Sequence, residues 1–90
     1  MESYELLVKP SAAKELEAIP NKRERRGIVA AIRALSAAPR PYGCQKLSGS
    51  EKYRVRKGPY RILYQIDDDG RVVTVVKIGH RRDVYRGATG

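Results

Sequence analysis

Apolar and charged positions alternate over the stretch Tyr53-Arg54-Val55-Arg56, and a second, mostly apolar run with Arg61 near its start follows from Tyr60 through Ile66. A period of two puts successive side chains on opposite faces of a sheet, so Arg54 and Arg56 share one face of a strand while Tyr53 and Val55 share the other. The pattern predicts strands at about 51–57, 60–67 and 71–79, joined by tight turns at Gly58-Pro59 and Asp69-Gly70. The run from Val72 to Ile78 is apolar on both faces, which predicts a central or well-covered strand. Upstream the period changes. Tyr4 to Val8 predicts a short first strand, and Pro10-Ser11 reads as a helix start with the serine as cap. Ala12, Leu16 and Ile19 fall at helical spacing up to Pro20. Asn21 reads as the cap of a second helix with Glu24 three residues on, and Ile28, Val29, Ile32 and Leu35 form its apolar stripe. Pro39 and Pro41 stop that helix, and residues 39–50 read as a connection. The order strand, helix, helix, three strands predicts a two-layer α+β domain: an N-terminal strand and a helical hairpin packed on an antiparallel β-sheet. Residues 1–90 are expected to form a single domain.

Charge sharpens this picture. The formal net charge is +9, and eleven of the 19 lysines and arginines lie in residues 46–90, the strand half. Such an excess points to a polyanionic partner, nucleic acid or an acidic protein segment, ahead of an anionic membrane surface. No apolar run approaches the roughly 18 residues that would span a membrane. The polar Met-Glu-Ser opening has no apolar h-region, so the expectation is a cytoplasmic protein. The single cysteine, Cys44, excludes an intramolecular disulfide and reads as a semi-buried side chain in a reducing compartment.

Arg54, Arg56 and Arg61 lie within eight positions on two adjacent predicted strands. Guanidinium groups stay charged and offer a planar fork of donors that suits phosphate oxygens. Two arginines on one sheet face are commonly only solvated, but Lys46, Lys52 and Lys57 flank this set and favour an anionic ligand. His80 is the only histidine and follows the last apolar strand, with Arg81 and Arg82 next to it. Histidine is the side chain suited to proton transfer near neutrality, and the adjacent cations would anchor an anionic substrate. Tyr85 reads as packing, as a phenol acting on a proton beside the arginines, or as a stacking partner for an unpaired base. Asp67-Asp68-Asp69 precedes Gly70 and reads as hairpin chemistry rather than a magnesium site. No metal and no cofactor is expected.

Taken together, Tyr53-x-Arg-x-Lys-Gly-Pro-Tyr-Arg-Ile-Leu-Tyr and Ile78-Gly79-His80-Arg81-Arg82-Asp83-Val84-Tyr85 resemble the RelE/ParE superfamily of type II toxins, and most closely its RelE branch. The resemblance covers nearly the whole chain and implies the RelE-like microbial RNase fold. It implies a toxin of a type II toxin–antitoxin system that cuts mRNA in the ribosomal A site and so inhibits translation. The implied cleavage is metal-free: the ribose 2′-hydroxyl attacks the adjacent phosphate, leaving a 2′,3′-cyclic phosphate and a 5′-hydroxyl. It assigns Arg54, Arg56 and Arg61 to substrate positioning and transition-state charge, Tyr85 to the base, and Arg81 or His80 to the leaving group. Lys46, Lys52, Lys57 and Arg82 would hold the RNA. The implied partners are an acidic RelB-like antitoxin, the ribosome with its mRNA, and operator DNA through the antitoxin complex. Val29 or Leu35, on the helix layer, is expected to contribute to antitoxin contact.

The sequence departs from the family pattern in two places. Well-known members carry lysines where this chain has Arg54 and Arg56, and a lysine gives up a proton far more readily than an arginine. His80 also stands where some members have lysine, which makes it a candidate for the displaced proton-transfer role. Two other readings stay open: a ParE-like inhibitor of DNA gyrase, and a non-catalytic RNA-binding module that stacks bases on Tyr53 or Tyr60.

Overall fold

Two helices lie on one face of a five-stranded sheet because each carries a single apolar stripe. The computed structural model describes residues 3–49 and 51–80. Its elements are β1 (Glu5–Val8), α1 (Pro10–Glu17), α2 (Lys22–Ala37), β2 (Gln45–Lys46), β3 (Lys52–Lys57), β4 (Tyr60–Asp67) and β5 (Val72–His80). In α2 the Asn21 side chain accepts from the Glu24 amide at 2.9 Å, the expected cap, and Ile28, Ile32 and Leu35 are buried while Arg23, Arg26 and Arg33 face solvent. The start of α1 differs from expectation. Lys9 is its N-cap, in extended conformation and without a side-chain bond, and Pro10 takes the first helical turn, so Ser11 does not cap. Proline there loses no hydrogen bond, because the first amides of a helix have no intrahelical acceptor.

The sheet order is β1-β5-β4-β3-β2. The three predicted strands form two antiparallel hairpins, β3–β4 and β4–β5, with Val55 opposite Ile62 and Ile62 opposite Ile78. Gly58 opens the first turn at φ 58, the sign that a type II′ turn needs at its first central position. In the second turn it is Arg71, not Gly70, that takes the left-handed conformation, at φ 56. A Cβ on Gly70 would lie 2.6 Å from the exposed Asp67 carboxylate, whose Oδ1 accepts from the Gly70 amide, so a larger residue there would displace that side chain. Two strands extend the sheet beyond the predicted three. β1 pairs in parallel with β5, Glu5 opposite Val72, and the two-residue β2 pairs with the far side of β3. β5 is therefore interior, as its two apolar faces require.

The core fills the space between helices and sheet: Ala12, Ile19, Ile28, Ile32 and Leu35 from the helix layer meet Ile62, Tyr64, Val73, Val75 and Ile78 from the strands. Fully burying one such aliphatic side chain contributes about 1.5–3 kcal/mol. Val73 and Val75 face the core at odd positions, but Ile78 does so at an even one. The switch comes from a bulge: Leu63 pairs with Lys77 and Tyr64 with Val75, leaving Val76 as the extra residue on β5. Past Val76 every side chain of β5 therefore changes face. This places Lys77 and Gly79 with the arginines, and Ile78 and His80 with the helices.

A polar latch closes the opposite end of the sheet. Arg40, just after α2, holds both carboxylate oxygens of Asp68 at 3.2 and 2.8 Å, and the Tyr4 hydroxyl donates to the same carboxylate at 2.7 Å. Hydrogen bonding from Arg40, then from Tyr4, brings the Asp68 carboxyl from its ordinary 3.8 down to about 2. The guanidinium of Arg40 also lies 5.2 Å from the centre of the Tyr53 ring, which stacks on Tyr64 at 5.9 Å. The Tyr64 hydroxyl donates to the Pro39 carbonyl at 2.7 Å, and burial pushes its phenol upward in pKa. Strand, connection and turn are thereby tied together around one aromatic pair.

Candidate nucleic-acid interface

The face of the sheet away from the helices carries the arginines. Arg56 stands directly opposite Arg61, and Arg54 stands opposite Leu63, so the three guanidinium side chains share one face. Lys52 lies on the same face by strand alternation, and β5 adds Lys77 opposite Leu63 and Gly79 opposite Arg61. Gly79, across from Arg61, adds no side chain to this face. Leu63 is fully buried on this face, although it lies outside the core cluster beneath the helices. Its cross-strand neighbours are Arg54 and Lys77, whose methylene stems are within reach at cross-strand spacing.

Two contacts orient the guanidinium groups. Arg54 donates through Nη2 to Oε1 of Gln45, its partner across β2–β3. Arg61 makes only a long bond, 3.3 Å, from Nη1 to the carbonyl of Tyr60, and its buried Nε has no hydrogen-bond acceptor among the described residues. Two cations facing each other across a sheet repel, and a buried donor without an acceptor is costly. An arrangement of this kind gains from an anion with several acceptor oxygens, such as a phosphate diester.

Other predicted site residues fall elsewhere. His80 stands opposite Tyr60, its ring edge-on to the tyrosine ring at 5.9 Å, on the helix side of the sheet. It lies one residue past Gly79, at the end of the sheet that Arg61 occupies. Lys57 also faces the helices, with its Cε 3.1 Å from where a Cβ on Gly27 of α2 would sit. Lys46 is opposite Tyr53 and so shares the latch side. Of the three flanking lysines, only Lys52 joins the arginines. Arg81, Arg82 and Tyr85 lie outside the described residues. Tyr53 already lies between Arg40 and Tyr64, whereas Tyr60 meets His80 only edge-on. Sequence patterning did not reveal Gln45, which orients Arg54, because its two-residue strand is too short to show a period.

A second surface lies on the outer side of the helix layer. Leu16, Val29 and Ala30 floor a groove of about 620 Å³ between α1 and α2, rimmed by Lys22, Arg25, Arg26 and Arg33 with Glu17 as the lone acid. Arg25 also donates to the Ile19 carbonyl at 2.8 Å, tying α2 to the short connection that follows α1. No described helix is long and apolar enough to cross a membrane.

Comparison with known proteins identifies the fold and the family. Toxin RelG of Mycobacterium tuberculosis is 40% identical over 42 residues, a match spanning 47% of this chain and 46% of that toxin, about half its length. The toxin–antitoxin complex RelBE2 of the same organism superposes with a TM-score of 0.77 at 27% identity, covering 88% of this chain and 99% of that one. The RelE–RelB complex of Pyrococcus horikoshii gives 0.76 at 26% identity, covering 87% and 94%. A mutant of the Escherichia coli toxin RelE in the free state gives 0.76 at 27% identity over 97% of this chain and 95% of that one. The family model for the ParE toxin of the type II toxin–antitoxin system parDE matches residues 6–85. The chain therefore belongs to the RelE/ParE superfamily of type II toxins, with the fold of the RelE toxins.

Proposed function

We propose that the chain is a ribosome-dependent endoribonuclease that cuts mRNA in the A site. The observation that carries this reading is the row of Arg54, Arg56 and Arg61 on the helix-free face, with Arg56 directly opposite Arg61. In the reaction the 2′-oxygen attacks phosphorus, its proton passes to a base, and the bond to the 5′-oxygen breaks as that oxygen takes a proton. Negative charge builds on the non-bridging oxygens in the transition state, where fixed guanidinium donors act most strongly. Arg54, held by Gln45, and Arg61, with its unused Nε, are suited to hold those oxygens. Tyr85 would serve as base and Arg81 would stabilise the leaving oxygen. The position of His80 on the helix side favours Arg81 over it for that role.

The partner is an antitoxin with an acidic amphipathic helix. The groove between α1 and α2, with Val29 in its floor and four cations on its rim, suits such a helix. Relatives of this fold have been solved in complex with RelB proteins.

Purified chain added to programmed ribosomes, with mRNA ends mapped by primer extension, tests the reading. A new end inside the A-site codon, absent with an R81A/Y85F variant, is the expected result. Intact mRNA would refute it. The second reading, inhibition of DNA gyrase, is favoured by the ParE name of the matching family, and a supercoiling assay on the same preparation decides it.

A further inference from the structure

The proposed chemistry leaves Glu15 of α1 without a role, yet its carboxylate reaches across to β5. Oε1 accepts from the Ile78 amide at 2.9 Å and Oε2 pairs with Lys77 Nζ at 2.6 Å, both partly buried. The place is distinctive. Pairing of β1 with β5 ends at Val8 opposite Val75, followed by one bond from the Lys9 amide to the Val75 carbonyl. From Val76 onward no described strand flanks that edge of β5. On its other edge the same stretch pairs with β4, where Arg61 stands opposite Gly79. The end of β5 is therefore held between a strand on one side and a single carboxylate on the other. A bulge has already loosened the ladder at Val76, just before this carboxylate bond.

We infer that Glu15 is a positioning residue for the cleavage site: its bond to the Ile78 amide fixes the end of β5 against the arginine row. The inference rests on the nuclease reading above. The partners of Glu15 are Ile78 and Lys77 of β5, so it acts through the strand. It also pairs with the ammonium of Lys77, so that this charge sits at α1 although its side chain leaves β5 on the arginine face.

Three measurements on the full chain test this. Replacing Glu15 by alanine or glutamine removes one negative charge, so weaker attraction to RNA cannot explain a loss of activity. E15A is expected to lower kcat on programmed ribosomes by about tenfold or more while KM stays within about twofold, the signature of a misplaced site. E15Q keeps an acceptor for the Ile78 amide and is expected to recover kcat to within about threefold of wild type. Amide hydrogen exchange should quicken by about tenfold at Ile78, Gly79 and His80 in E15A and stay unchanged at Val73 and Val75. Unchanged exchange at Ile78, or quicker exchange with an unaltered kcat, overturns the inference. So does an E15Q as slow as E15A. An inert wild type sinks the nuclease reading and this inference with it, whereas an active wild type equalled by E15A sinks this inference alone.

Discussion

Replacing Arg61 by methionine should stabilise the fold while disabling the site. Methionine keeps the length and apolar stem of the arginine and removes its charge and its buried, acceptor-less Nε. Arg56 is the directly opposed residue on β3, so the two cations start from neighbouring Cβ atoms about 5 Å apart. At a separation of roughly 6 Å in a water-like dielectric their repulsion is about 0.7 kcal/mol, and the splaying of long side chains lowers it. A relief of about 0.5 kcal/mol follows, within the range for cross-strand pairs. For a domain of this size that is a rise of about 2–4 °C in Tm. Loss of one transition-state donor should meanwhile lower cleavage by about 100-fold or more. Thermal melts of R61M and wild type at low salt and at about 0.5 M salt measure the first part, because screening should erase most of the gain. Most substitutions at partly buried positions destabilise. An R61M that melts below wild type at low salt, or a gain that salt leaves intact, would show that the arginines are held for the fold and not for an anion.

Further outcomes follow from the latch and the cap. Tyr64→Phe removes the donor to the Pro39 carbonyl and should cost about 1–2 kcal/mol in urea unfolding, because the ring stays packed while the carbonyl loses its partner. The Asp68 carboxyl titrates near 2 when folded and near 3.8 otherwise, so its contribution is complete above about pH 4 and fades as pH falls toward 2. Asp68→Asn should flatten that limb of a stability–pH curve, and an unchanged acid limb would count against the Arg40 and Tyr4 contacts. Asn21→Ala should cost about 1 kcal/mol through loss of the bond to the Glu24 amide, measured by chemical denaturation.

Most of the architecture was legible because the helices and the longer strands carry recognisable apolar patterns bounded by turn residues. The strands fall within a residue or so of expectation at 52–57, 60–67 and 72–80, and both turns are where glycine marks them. The common face of Arg54, Arg56 and Arg61 followed from alternation and hairpin pairing alone. The partner of β1 did not, since four residues carry no information about which edge they join. The face of His80 was hidden by the bulge: counting by twos from Val75 puts Ile78 and His80 on the arginine side, and only the extra residue at Val76 returns them to the core. Lys57 was read as flanking the arginines, but it is adjacent to Arg56 along the strand and so points the other way. Contacts such as Arg40 to Asp68 and Glu15 to Ile78 span 28 and 63 residues, and no local pattern encodes them.

The parallel pairing of β1 with β5 has a consequence for how the chain folds as it is made. Glu5 must wait for Val72, a separation of 67 residues, and the strand that β1 needs is the last element of the described chain to leave the ribosome. Until then β1 lacks a hydrogen-bonded neighbour and the helices have only part of their sheet to cover. Nearly all the pairings that close the sheet on that side are of long range, which slows folding and concentrates it in one late step. A nascent chain short of β5 exposes its apolar stripe and an unpaired strand edge, the features that recruit chaperones or drive aggregation. Gly79 and the β5 side of the arginine face arrive in the same step, so the site is not assembled before β5 has been made.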